Sequence, residues 1–111
     1  MCRFALFVLV ASVSSIALGP QIYAADPANG KKLARKCTVC HGKLGMGRDP
    51  ETPHLAGQPA LYLEKSLMDY QTGKRSDRRM SLMARPLSKE DIKDLAAWFA
   101  SLEIKVIVPE K

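Results

Sequence analysis

Cysteine is scarce in this chain. Three in 111 residues are too few, and odd in number, for a disulfide framework. Long apolar runs are also missing. The longest uncharged stretch near the start, Phe4 to Leu18, contains Ser12, Ser14 and Ser15 and ends at Gly19-Pro20, and its span of about 15 residues falls short of the roughly 20 that a membrane-crossing helix wants. There is no internal repeat, no nucleotide-binding glycine loop and no catalytic Ser/His/Asp spacing. The length excludes Rossmann, TIM and other large catalytic scaffolds and leaves one small domain. With 47% hydrophobic and 25% charged residues, the disordered, collagen-like and low-complexity classes are excluded as well.

What is present begins with a leader. A single basic residue, Arg3, the apolar run and the small pair Ala24-Ala25 read as a secretory signal peptide. Residues 1–25 are therefore expected to be removed, leaving a domain over 26–111 with a periplasmic location and no stable membrane insertion. Cys2 precedes the apolar run, the wrong place for a lipoprotein cysteine, and leaves with the leader. The two remaining cysteines enclose a loop too short to constrain the chain, so their use is chemical. A domain this small often needs a staple, metal or cofactor to complete its core.

Cys37-Thr38-Val39-Cys40-His41 is C-x-x-C-H, the attachment signature of c-type haem. Two thiols one helical turn apart can each add to a vinyl group of the same porphyrin, and the next residue presents its imidazole to the iron. One haem c, covalent through Cys37 and Cys40 with His41 as proximal ligand, is the expected cofactor. A thioredoxin-type site would follow a strand, and the upstream run Lys31-Lys32-Leu33-Ala34-Arg35 is helical in composition. A zinc site would need a fourth ligand, and His54 is the only other histidine, with no second cysteine pair.

The rest of the chain predicts a small helical domain. Asp26-Pro27 makes a helix start, with Asp as cap and Pro in the first turn, and the helix runs through Leu33 and Ala34 into the cysteines. Gly30 weakens that helix, which implies close approach to another. Gly42 to Gly47 and Asp49 to Pro53 read as loops. A second helix starts near Pro59 and stops at Gly73, with Leu63, Leu67 and Tyr70 on one face. The third opens with the cap Ser88 and an acidic first turn, and carries Ile92, Leu95, Phe99 and Leu102 on one stripe with Trp98 beside it. The tail from Ile104 to Val108 is expected to pack in extended form over the domain.

These stretches together resemble the class I c-type cytochromes, in particular the group of c553-type proteins and the single-haem halves of cytochrome c4. The matching segments are Cys37 through Gly42, Pro53-His54-Leu55-Ala56-Gly57-Gln58, Tyr62-Leu63 with Leu67, Tyr70, Gly73 and Arg75, and Leu87-Ser88 through Asp91-Ile92 to Leu95 through Ser101. The resemblance covers nearly all of 26–111, and Trp98 stands where a Tyr is more usual. It implies an all-α, cytochrome c-like fold of about three main helices enclosing one covalently bound haem. It also implies that the Pro53 carbonyl orients His41, and that Gly30 and Ala34 let the first helix cross over Leu95 and Trp98.

The second axial ligand decides between electron carriage and ligand chemistry. Met46 lies too close to the motif to reach the opposite face easily and is expected to pack within its loop, Met68 falls within a helix where a thioether fills core gaps, and His54 reads as surface or loop. Met80 and Met83, in the irregular stretch between the last two helices, are nearly equal from the bare sequence. The family places its methionine about seven residues before the Leu-Ser that opens the last helix; by that resemblance Met80 is the ligand, with Met83 as runner-up packing against the ring.

Two axial ligands would close the metal to substrate, so the expected activity is one-electron, outer-sphere transfer by a carrier rather than an enzyme. Lys74, Arg75, Arg78, Arg79 and Arg85 flank the ligand loop and read as a docking rim for an acidic redox partner. Nucleic acid is excluded as a partner because no stacking aromatics interleave the charges. The chain is expected to be a monomer or weak dimer. The alternatives are a tightly held cytochrome subunit of a periplasmic dehydrogenase and a haem ligand sensor with a labile sixth position.

Overall fold

The computed structural model describes residues 23–110, so most of the expected leader, residues 1–22, lies outside them. Asp26 is extended, and its carboxylate accepts hydrogen bonds from the Ala28 and Asn29 N–H groups at 2.9 and 3.2 Å. Pro27 then starts α1 (Pro27–Leu33) without wasting an amide. The path into the cysteines is helical but not one helix. A 3-10 turn (Ala34–Lys36) follows, and Cys37 precedes the single turn α2 (Thr38–His41), which ends at Gly42.

The next helix, α3 (Ala60–Thr72), has Pro59 at its N-terminus and Gly73 at its end with φ of 77°, as the sequence predicts. The last, α5 (Lys89–Ala100), starts with a reciprocal cap: Ser88 Oγ accepts from the Asp91 N–H at 2.9 Å, and the Asp91 carboxylate accepts from the Ser88 N–H at 3.0 Å. Between them the chain departs from expectation. The stretch holding Met80 and Met83 is a short helix, α4 (Arg78–Ala84), because the Asp77 carboxylate accepts from the Arg79 and Met80 N–H groups at 2.9 and 2.8 Å. Gln71 on α3 holds the far end of α4, donating from Nε2 to the Ala84 and Leu87 carbonyls at 2.8 and 2.7 Å.

No strand occurs among the described residues, so the fold is all-α. Helix α1 packs on α5, α3 on α5, and α4 on α3. The crossing of α1 and α5 is close at Gly30, where a Cβ would lie 1.9 Å from the Asp94 carbonyl oxygen and 2.9 Å from Trp98 Cβ. Ala34, Leu63, Leu95, Ala96 and Phe99 form the core, with Leu33, Leu67, Trp98 and Leu102 packed around it. Burial of each large apolar side chain there stabilises by about 1.5–3 kcal/mol.

Three expectations about apolar residues do not hold. Met68 is 41% exposed and Met46 44%; α3 turns Leu63 and Leu67 to the core, which leaves Met68 on its outer side, and Met46 points out of its loop. The tail is extended but does not pack over the domain. Val106, Ile107 and Val108 are all at least 79% exposed, although Ile104, nearer the body, lies against Gly57.

Candidate haem-binding cleft

Cys37, Cys40 and His41 are presented by one turn of helix: the Cys40 and His41 N–H groups both donate to the Cys37 carbonyl, at 3.3 and 2.9 Å. The turn lies against a cleft of about 640 Å³ lined by all three residues and, on other walls, by Pro53, Met80 and Met83. Both thiols are free, Cys37 half-buried and Cys40 exposed. Burial pushes the Cys37 thiol up from its ordinary value, and the neighbouring Cys40 adds to the shift.

His41 is 5% exposed. Its Nδ1 donates to the Pro53 carbonyl at 2.9 Å; since a carbonyl can only accept, the proton sits on Nδ1 and the lone pair on Nε2. That tautomer is the one a metal-ligating imidazole needs.

The methionines approach from α4. Met80 is half-buried and Met83 is 37% exposed, and both line the cleft. The Met80 N–H is one of the two held by Asp77, whose carboxyl lies below its ordinary 3.8, chiefly through that hydrogen bond. His54 is exposed in its loop, as expected, and also reaches the rim. Met46 and Met68 are absent from the lining.

Of the five cations, all exposed, Arg75 and Arg79 reach the cleft rim, whereas Lys74, Arg78 and Arg85 do not. Arg75 is stacked over the Tyr70 ring, 4.9 Å from its centroid. The sequence reading missed Tyr62, Ser66 and Leu82, which also line the cleft. A signal existed for the first two: Tyr62 and Ser66 are four residues apart on α3, one position before Leu63 and Leu67, and so flank the core stripe.

The donor set fits a covalent haem. Two thiols and an imidazole of fixed tautomer meet one apolar cleft, and its walls include Leu63, Leu95, Ala96 and Phe99 from the core. Among the described residues no group of three His, Cys, Asp or Glu side chains is arranged to hold a bare metal ion.

A small all-α domain with a C-x-x-C-H turn against an apolar cleft defines a class I c-type cytochrome. The chain belongs to the cytochrome c family, whose Cytochrome c profile matches residues 27–103. It is 43% identical over 83 residues to cytochrome c-554(548) of Halomonas halodenitrificans, covering 72% of this chain and 100% of that one. A crystal structure of reduced recombinant cytochrome c4 from Pseudomonas stutzeri superposes with a TM-score of 0.68 at 36% identity, covering 72% of this chain and 47% of the other. The thiosulfate dehydrogenase electron acceptor of Thiomonas intermedia is 38% identical over 85 residues, 76% of this chain and 37% of that protein. The chain thus spans one of these relatives entirely and less than half of the other two.

Within the family it falls in the c4/c553 group. It is an electron-transfer cytochrome, not an enzyme, and membership implies haem c bound through Cys37 and Cys40.

Proposed function

We propose that this protein is an exported monohaem cytochrome carrying single electrons between partner proteins, in which His41 and Met80 would hold the haem iron. The observation that carries the reading is the convergence of Cys37, Cys40, His41 and Met80 on one apolar cleft. Bound there, haem c supplies a one-electron couple. The chain's own residues do the rest. Cys37 and Cys40 would anchor the macrocycle, and the Pro53 carbonyl holds the His41 ring in the tautomer whose Nε2 lone pair would ligate the iron.

Met80 is favoured over Met83 because it is the more buried of the two and its backbone is tied down by Asp77. A soft thioether favours ferrous iron, and the apolar walls penalise the extra charge of the ferric state, so both raise the reduction potential. Ligation by both His41 and Met80 would leave substrate no site on the iron. No general acid or base is required, and transfer is outer-sphere.

Arg75 and Arg79 at the rim, with Lys74, Arg78 and Arg85 behind them, support docking of an acidic redox protein. The likeness to a thiosulfate dehydrogenase electron acceptor favours one second reading, a cytochrome held tightly by a sulfur-compound dehydrogenase. Size exclusion of native extract separates the two, since a free carrier elutes alone.

The direct test is the visible spectrum of the purified protein. Covalent haem survives acid-acetone extraction and the reduced protein takes up little carbon monoxide. Extractable or absent haem overturns the proposal, and ready carbon monoxide binding marks the labile-ligand sensor instead. Met80→Ala abolishes the methionine-to-iron absorption band while Met83→Ala retains it; the reverse result assigns Met83.

A further inference from the structure

One buried carboxylate takes no part in the cleft. Asp94, in the middle of α5, is 1% exposed, and all its side-chain donors come from the other end of the chain. The Tyr23 hydroxyl lies 2.8 and 2.7 Å from its two oxygens, the Asp26 N–H donates to Oδ1 at 2.7 Å, and Asn29 Nδ2 donates to Oδ2 at 2.8 Å. Burial pushes the Asp94 carboxyl up, but these hydrogen bonds outweigh it and hold the group below its ordinary 3.8. Asp94 is thus a buried anion, and no side-chain cation among the described residues pairs with it.

Two of its donors, Tyr23 and Asp26, bracket the small pair Ala24-Ala25 at the expected end of the leader. Residues 23–26 lie outside any helix and are exposed, so the bonds between them are reachable by a peptidase. We infer that the Ala25–Asp26 peptide bond is the site of leader removal and that Asp94 is the receptor for the α-amino group released there. The inference rests on the export reading. The step is a hydrolysis by a leader-removing peptidase: water adds to the Ala25 carbonyl, the C–N bond breaks, Ala25 departs as a carboxylate, and the Asp26 nitrogen is left as an ammonium.

The exchange at Asp94 is specific. Tyr23 leaves with the leader, which strips one donor from a buried anion and would destabilise it. The same cut turns the Asp26 amide, already 2.7 Å from Oδ1, into a cation, so a neutral hydrogen bond becomes a charge-assisted one. A cut one bond earlier, after Ala24, would leave Asp26 a neutral amide and put the charge one residue, about 3.8 Å of chain, further out.

The other charges facing this point are few. The Asp26 carboxylate is engaged by the Ala28 and Asn29 N–H groups; Glu90 on α5 is also close enough to act on Tyr23, and Lys93 lies over the Tyr23 ring at 6.0 Å. The N-terminal dipole of α1 disfavours a cation there. Direct contact with Asp94 outweighs it, since the dipole is a partial charge and Asp94 a whole one.

The test uses the full chain, expressed in a bacterium that attaches haem, with the N-terminus of the exported holoprotein determined by mass. A chain starting at Asp26 supports the inference. A start at Ala25 or elsewhere overturns it and leaves export standing, whereas an intact Met1 overturns both. A second measurement follows acylation of the α-amine. Pairing with Asp94 lifts that amine about one unit above its ordinary 7.7–8.0, so near neutral pH it reacts about tenfold more slowly than in Asp94→Asn. Equal rates overturn the inference. Should Asp94→Asn not fold, titration of the wild-type amine decides by itself: a value within or below the ordinary range overturns the pairing.

Discussion

Replacing Gly30 with alanine sets a local gain against a tertiary clash. In an isolated helix the change stabilises by about 1 kcal/mol. In this fold the new Cβ would sit 1.9 Å from the Asp94 carbonyl oxygen, 2.5 Å from its carbon and 2.9 Å from Trp98 Cβ, where ordinary contact begins at 3.4 Å. Two of these atoms are backbone and the third is the first atom of a side chain, so none can swing aside. Helices α1 and α5 must therefore separate by roughly 1.5 Å, an overpacking strain of about 1–3 kcal/mol. The separation also stretches the 2.8 Å bond from Asn29 to Asp94, a hydrogen bond to a charge worth about 1.5–3 kcal/mol. Set against the helix gain, the net destabilisation is about 1.5–5 kcal/mol. At 4–8 °C per kcal/mol for a domain of this size, the midpoint of thermal unfolding, followed by circular dichroism on the holoprotein, falls by on the order of 10 °C or more. An unchanged or raised midpoint would refute the close-crossing account.

Gly73 makes the contrasting case. Nothing lies within 4 Å of a Cβ there, but φ is +77°; Gly73→Ala therefore costs about 1 kcal/mol from backbone strain alone, and Gly73→Asn costs less, both read from urea midpoints. The Asp77 carboxyl, held below its ordinary 3.8 chiefly by the Met80 N–H, stabilises the fold fully above that value. As pH falls the unfolded chain takes the proton first, so this contribution is lost on passing down through the folded value; Asp77→Asn shows a shallower acid loss in the same urea measurement. Exchanging Arg75 and Arg79 together for Glu slows electron transfer with an acidic partner at low ionic strength, and the difference from wild type closes as salt is added. A salt-independent difference in stopped-flow rates would remove the docking role.

The parts of the fold legible in the sequence are those whose cause is local. Asp26-Pro27, Pro59 with Gly73, and Ser88 with Asp91 each announce a helix end within a few residues, and the structure puts caps at all three. Helix α4 has only seven residues, too few for an apolar period to show; its cap Asp77 follows directly on the irregular stretch and looks like part of it. Asp94 was illegible for the opposite reason. Between Lys93 and Leu95 it reads as an exposed helix charge, and its burial is made by Tyr23, Asp26 and Asn29, which lie 65 to 71 residues away. The apolar tail shows that β-branched composition states a demand for burial without supplying a surface to satisfy it.

The cleft exposes a deeper limit. Leu63, Leu95, Ala96 and Phe99 belong both to the core and to the cleft wall. A helical period reports only that one side of a helix avoids water. It does not distinguish a face covered by neighbouring side chains from one covered by a prosthetic group, since both are dry. The distinction enters through residues with chemistry of their own: Cys37, Cys40 and His41, held to one turn by bonds to the Cys37 carbonyl. An apolar stripe becomes a candidate binding wall where such a turn meets it, and for that reason the motif points to the cleft while the stripes alone predict only a core.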